Sequence, residues 1–149
     1  MVTQIPVPPE ARARSRLGRI DYADAFVVDV TGEKTAEEWA RAALEEAPAA
    51  TRARLQSGWS SLGLKLDLTS RDQSILGWRI LESTPDHVLL GAAGRLGLSG
   101  ELLFERRGQE LHFSTFVKLS HLGARAVWNA IERTHVRIVR GVLEDAAAP

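Results

Sequence analysis

Gly91, Gly94 and Gly97 stand at the GxxGxxG spacing that dinucleotide-binding loops use to bring backbone amides against a pyrophosphate. That chemistry needs a strand before the glycines and a helix after them, because the helix N-terminus holds the anion. The residues that follow, "LSGELLFERRG", do not supply the helix. Gly100 interrupts it, and Leu102 and Phe104 alternate with Glu101, Leu103 and Glu105 in the period of a strand. Glu110 lies roughly 20 residues on, where a ribose-binding acid belongs, but it reads as part of a turn beside Gly108. The glycines therefore predict a hairpin, with Ala93-Gly94 supplying positive φ at its turn. Gly91, Gly97 and Gly100 lie in or beside strands, where glycine marks a bend or a close approach.

His135 is the side chain best suited to proton transfer. It falls within an apolar stripe near the C-terminus, and a half-buried imidazole there can donate to a ligand carbonyl or exchange a proton near neutral pH. The competing account is a core histidine bonded to backbone or to a nearby acid. His112 alternates with Ser114 and Lys118 on a face read as outer, His121 begins a helix, and His87 falls in a turn. None has the i, i+4 partner of a helical zinc site, and HExxH is absent. Ser99 lacks the GxSxG elbow of a serine nucleophile, and the acidic pairs Glu37-Glu38 and Glu45-Glu46 read as solvated helix positions. No cofactor and no metal are expected.

Trp39, Trp59, Trp78 and Trp128 are the whole tryptophan complement. Aromatic side chains bury large areas, so they suit either a packed core or the wall of an apolar cavity. Trp59, Trp78, Phe113, Thr115, Trp128, Ile131 and His135 are the expected pocket residues. Arg79 is a candidate clamp for a ligand carboxylate, although strand alternation sets it opposite Trp78. Arg133, Arg137 and Arg140 recur at helical spacing, with Glu132 and Glu144 nearby, as on a solvated face.

The elements that must position these residues follow from pattern. Met1 to about Gly18 carries Pro6, Pro8 and Pro9, then Arg12, Arg14 and Arg16, and reads as an extended arm. Residues 19–149 read as one domain. "DYADAFVVDV" is a strand that Gly32 ends. Thr35 and Glu38 stand as a capping box for a helix that Pro48 stops, and a second helix runs from Ala49 to Ser61. "LGLKLDL" alternates as a short strand or an extended lip. Four strand-like segments follow, at 76–83, 87–92, 96–106 and 110–119, joined by short turns. In the last of them Leu111, Phe113, Thr115, Val117 and Leu119 share one face. Ser120 then caps a long helix whose stripe is Trp128, Ile131, His135, Ile138 and Val142, with Val127 and Val139 at its margins. The order predicts an α+β fold in which a curved antiparallel sheet grips the long C-terminal helix, with two short helices after the first strand.

Composition agrees with a single globular unit. Of the 149 residues 44% are hydrophobic and 26% charged, with net charge zero. No global field recruits nucleic acid or an anionic membrane. The absence of cysteine excludes disulfides and thiolate chemistry. The N-terminus has no run of apolar residues resembling a signal peptide or membrane helix, so a cytoplasmic protein without membrane insertion is expected.

Three stretches, "SSLGLK", "DHVLLG" and "FSTFVKLSHLGARAVWNAIERTHVRIVRGVLEDAA", resemble an uncharacterised bacterial family known as domain of unknown function 2867. That family is similar to the polyketide-cyclase-like, START-related helix-grip proteins (the SRPBCC superfamily). The resemblance spans roughly residues 20 to 147, and departs from the pattern at Ala92-Ala93-Gly94, where acidic or polar residues are expected. It implies the fold and carries no established reaction. The leading expectation is a module that binds a small, largely apolar molecule between sheet and helix. An enzyme of cyclase, dehydratase or isomerase type, using His135 beside a carboxylate, is the second. An interaction protein with a filled core is the third. A homodimer is left open but not indicated.

Overall fold

A computed structural model describes all residues, 1–149. Its elements, in chain order, are β1 (Thr3–Ile5), α1 (Pro9–Ala13), β2 (Tyr22–Asp29), α2 (Ala36–Leu44), α3 (Ala49–Ser61), β3 (Ser74–Ile75), β4 (Trp78–Ser83), β5 (His87–Ala92), β6 (Leu98–Arg107), β7 (Glu110–Leu119) and α4 (Leu122–Ala147). All strands join one curved antiparallel sheet in the order β1-β2-β7-β6-β5-β4-β3. The chain is α+β, and the long C-terminal helix lies on the sheet face that also carries α2 and α3.

Period-two alternation decides which side chains meet the helices. Phe26 and Val28 of β2, Phe113 and Val117 of β7, Leu102 and Phe104 of β6, and Val88 and Leu90 of β5 share the inner face and join Trp39, Trp128 and Leu143 in one core. The capping box forms as the spacing predicts: the Glu38 amide donates to Thr35 Oγ1 and the Thr35 amide to Glu38 Oε1. α2 stops at Leu44 with Glu45 as its C-cap, short of Pro48, which instead takes the N-cap position of α3.

The other sheet face is not the solvated outer surface that the alternation of His112, Ser114 and Lys118 suggests. Residues 7–20 lie across it, so Leu89, Leu103 and Phe116 are fully buried among Val7, Ala11, Leu17 and Ile20, with Ala23 and Leu81 beside them. The segment read as an extended arm thus contributes edge strand β1 and the short α1, with Pro9 at its first turn, where a missing N–H costs nothing. Two buried glutamates anchor it. Glu101 accepts from Ser15 Oγ at 2.5 Å and from the Arg16 amide at 2.9 Å, and Glu105 pairs with Arg14. The arginines that would repel one another in a free arm are neutralised there, Arg14 by Glu105 and Arg16 by Glu82.

Three local expectations are corrected. Positive φ falls at Gly97 (86°) rather than at Ala93-Gly94, and Gly94 serves close approach: a Cβ there would lie 1.7 Å from the Leu98 carbonyl oxygen. His121, not Ser120, caps α4, its Nδ1 accepting from the Ala124 amide at 3.1 Å. Glu110 opens β7 opposite Arg107 instead of standing in the turn. Leu64, in the alternating "LGLKLDL", makes only an isolated bridge to Gly94, so that stretch is an extended lip.

The start of α4 is tied to β2 by Asp21. Its carboxylate accepts from the Leu119 amide at 2.7 Å and from Arg19 and Arg125. These bonds, the Leu119 amide foremost, hold the carboxyl below its ordinary range. What they contribute is present above the ordinary carboxylate value and is lost as pH falls through the lowered folded one.

Candidate functional site

A cavity of about 300 Å³ opens between the sheet and helices α3 and α4. Seventeen of its 24 lining residues are hydrophobic, so it is built for apolar contact. Phe113, Thr115 and Val117 of β7 and Leu98, Gly100 and Leu102 of β6 form its floor, and Trp78 of β4 lies at one side. Gly100 is bare for a reason: a Cβ there would press on the Trp78 ring at 3.2 Å. The roof is α4, through Trp128, Ile131, His135 and Ile138, and α3, through Leu55 and Trp59. Leu55 is the one buried residue of α3, while Arg54, Gly58 and Ser61 of α3 and Thr134 of α4 are exposed on the rim. The mouth therefore runs between the two helices, and the N-terminal arm is on the far side of the sheet.

Seven of the eight residues singled out by pattern meet at this cavity: Trp59, Trp78, Phe113, Thr115, Trp128, Ile131 and His135. Arg79 does not. It is exposed, and the alternation that points Trp78 inward carries Arg79 to the other face of β4. Trp59 meets Trp78 edge-to-face at 5.4 Å between centroids, and Trp128 sits 4.9 Å from Tyr22 and 5.1 Å from His135. The aromatic walls thus fall into two groups, one at each side of the floor.

The second group surrounds a carboxylate that pattern alone did not flag. Asp24, almost fully buried, accepts from Tyr22 Oη at 2.6 Å on the same oxygen, Oδ2, that lies 3.1 Å from His135 Nε2. A carboxylate beside Nε2 selects the tautomer protonated there, leaving Nδ1 as the ring's free acceptor. The sequence signal was the placement of Asp24 on the inner face of β2, in phase with Phe26 and Val28. Its partner is 111 residues away.

Burial, then the bond and charge of Asp24, push the Tyr22 phenol far above its ordinary value. The stabilisation this gives is complete below about pH 10 and lost as pH rises through the elevated folded value. Tyr22 is the sole tyrosine, so phenolate absorbance reports on it alone. The expected titration shows no phenolate at pH ~10.5 in the folded protein and roughly three-quarters ionisation once it is unfolded. Half-ionisation near pH ~10 in the native state would contradict the buried bond.

The remaining histidines have structural partners. His87 is buried between Thr84, Arg14 and Glu82, and His112 contacts Glu110. No three His, Asp or Glu side chains gather as metal ligands. A wider depression between α2 and residues 67–77 is polar, and its central Arg41 is already engaged by Glu37, Glu45 and the carbonyls of Arg71 and Ser74. No helix is long and apolar enough to cross a membrane.

No family model matches the chain, and no curated protein does. Among solved structures, the chain is similar to the hypothetical protein jhp0584 from Helicobacter pylori, determined at 1.88 Å resolution. The two share 11% identity with a TM-score of 0.47, over 96% of this chain and 94% of that one.

Proposed function

We propose that this protein binds a small, largely apolar molecule in the cavity between its sheet and α4. The single observation that carries the reading is the cavity itself: about 300 Å³ of space, walled mainly by hydrophobic side chains, at the centre of the fold. An interior of this size would ordinarily be filled, since each unfilled void forgoes packing. A third reading, an interaction protein with a filled core, has no support from such a space. The proposed fold is helix-grip, and kinship with the START-related proteins and the domain-of-unknown-function family is part of the same proposal. It is supported by the order of β2, α2, α3, five further strands and α4, with β2 and β7 adjacent.

One specific observation favours an enzymatic variant of this reading. His135, held by Asp24, lines the cavity, so a bound molecule would meet an oriented imidazole able to take or give a proton. A cyclase, dehydratase or isomerase on this site would use His135 as general acid-base and Asp24 to position it.

Native mass spectrometry of gently purified protein tests both. The expected spectrum contains an adduct that denaturation releases as a small molecule. Protein of bare chain mass that also takes up no apolar probe would overturn the binding reading. If the enzymatic variant holds, His135→Gln retains the adduct but no longer converts it, whereas unchanged conversion rejects that role.

A further inference from the structure

The wall of the cavity is one-sided in its charge. The chain holds 19 basic and 19 acidic residues, yet the lining contains Arg54 and His135 and neither aspartate nor glutamate. The buried polar atoms of the lining that lack a partner are the indole nitrogens of Trp78 and Trp128 and the hydroxyl of Thr115. An indole N–H only donates, and a threonine hydroxyl can. The wall thus offers a cation and donors but no carboxylate. Arg54 stands at the mouth, exposed on α3. It takes part in no ion pair, unlike Arg41 of α2, which Glu37 and Glu45 hold. Gly58, one turn further along the same face of α3, has nothing within 4 Å of the place a Cβ would occupy, so the rim is bare on that side.

We infer that the occupant is an amphipathic carboxylate, its hydrocarbon in the cavity and its anionic head at the mouth on Arg54. The inference rests on the cavity-binding reading above and adds the chemical class of the ligand. A charge taken into hydrocarbon loses its hydration at great cost, so an ionised head stays at the rim, where water reaches it. A carboxylate accepts and never donates, and a guanidinium donates in a fork that matches its two oxygens. An ammonium finds no counter-charge among the lining residues and meets Arg54 as a like charge. Asp24, which bonds His135, is not a lining residue. Its charge repels a carboxylate from the His135 side and leaves Arg54 as the cation the head meets.

Equilibrium dialysis of the full chain with 2-naphthylacetate, 2-(2-naphthyl)ethanol and 2-(2-naphthyl)ethylammonium at neutral pH is the test. Ring system and arm are matched, while the head is anionic, neutral or cationic. The expected result is the carboxylate bound about fivefold more tightly than the alcohol, with the ammonium weakest. Added salt should erase that margin and leave alcohol binding unchanged, since an ion pair at a rim is screened. Arg54→Gln should remove the margin and Arg54→Lys keep part of it, both at an exposed position where the fold does not depend on the side chain. Arg133→Gln, exposed on α4 but outside the lining, should leave the margin intact. A carboxylate bound no more tightly than the alcohol would overturn the inference and leave the cavity reading standing. A margin that survives Arg54→Gln would overturn the placement of the head. Binding of none of the three would overturn the cavity reading, and the inference with it.

Discussion

Gly94→Ala is expected to cost about 3 kcal/mol of stability and to lower the melting temperature by roughly 10 °C. The added methyl carbon would sit 1.7 Å from the Leu98 carbonyl oxygen and 2.8 Å from its carbon. Both are backbone atoms, so no rotamer change relieves the overlap, and the turn between β5 and β6 must open. That turn also carries the Gly94 bridge to Leu64 and the bond from the Gly94 amide to Ser99 Oγ, which fasten the lip after α3. The same substitution at Gly141, in α4 with open space around its Cβ position, should instead stabilise by about 1 kcal/mol, the helix-propensity difference. Thermal and urea melts of the two variants provide the check. A Gly94→Ala melt coinciding with wild type would refute the close-approach account.

Removing residues 1–18 is expected to reduce stability by about 4 kcal/mol or more, estimated from apolar burial. Val7, Ala11 and Leu17 of the removed segment cover Leu89, Leu103 and Phe116, leaving Ile20, Ala23 and Leu81 as the remaining neighbours. Glu101 and Glu105 would lose Ser15, the Arg16 amide and Arg14, and the loss of β1 would bare β2 as a sheet edge. Against a typical total of about 5–15 kcal/mol, such a loss leaves a marginal fold that self-associates. The urea midpoint should fall sharply, and gel filtration should show larger species. A truncated chain that stays monomeric with an unchanged midpoint would show the segment to be a dispensable arm.

The parts of this fold that could be read in the sequence are those that repeat locally. The alternation of Leu111, Phe113, Thr115, Val117 and Leu119 and the stripe from Trp128 to Val142 are periodic, so the strand and helix that bound the cavity were evident, and with them most of its wall. The Thr35–Glu38 cap was evident for the same reason, since both of its bonds span three residues. What escaped depends on distant partners. Nothing near Asp24 announces His135, and nothing in "PPEARARSR" announces Glu101 and Glu105, whose charges sit on a strand 85 or more residues away. The place of positive φ escaped because a glycine can serve a turn by its dihedral or by its missing Cβ. Gly97 does the first and Gly94 the second.

The pairing of β2 with β7, Tyr22 opposite Val117 and Asp29 opposite Glu110, also sets the order of assembly. Strands β3 to β7 are successive hairpins whose contacts close short loops, and they can zip as soon as they are made. β2 waits with its hydrophobic inner face unsatisfied until β7 arrives, and closing so long a loop carries a late entropic cost. Tyr22 and Asp24 come from the beginning of the chain, and Trp128 and His135 from its final helix. The cavity is therefore roofed only when α4 closes over the sheet, after every strand that forms its floor has been made.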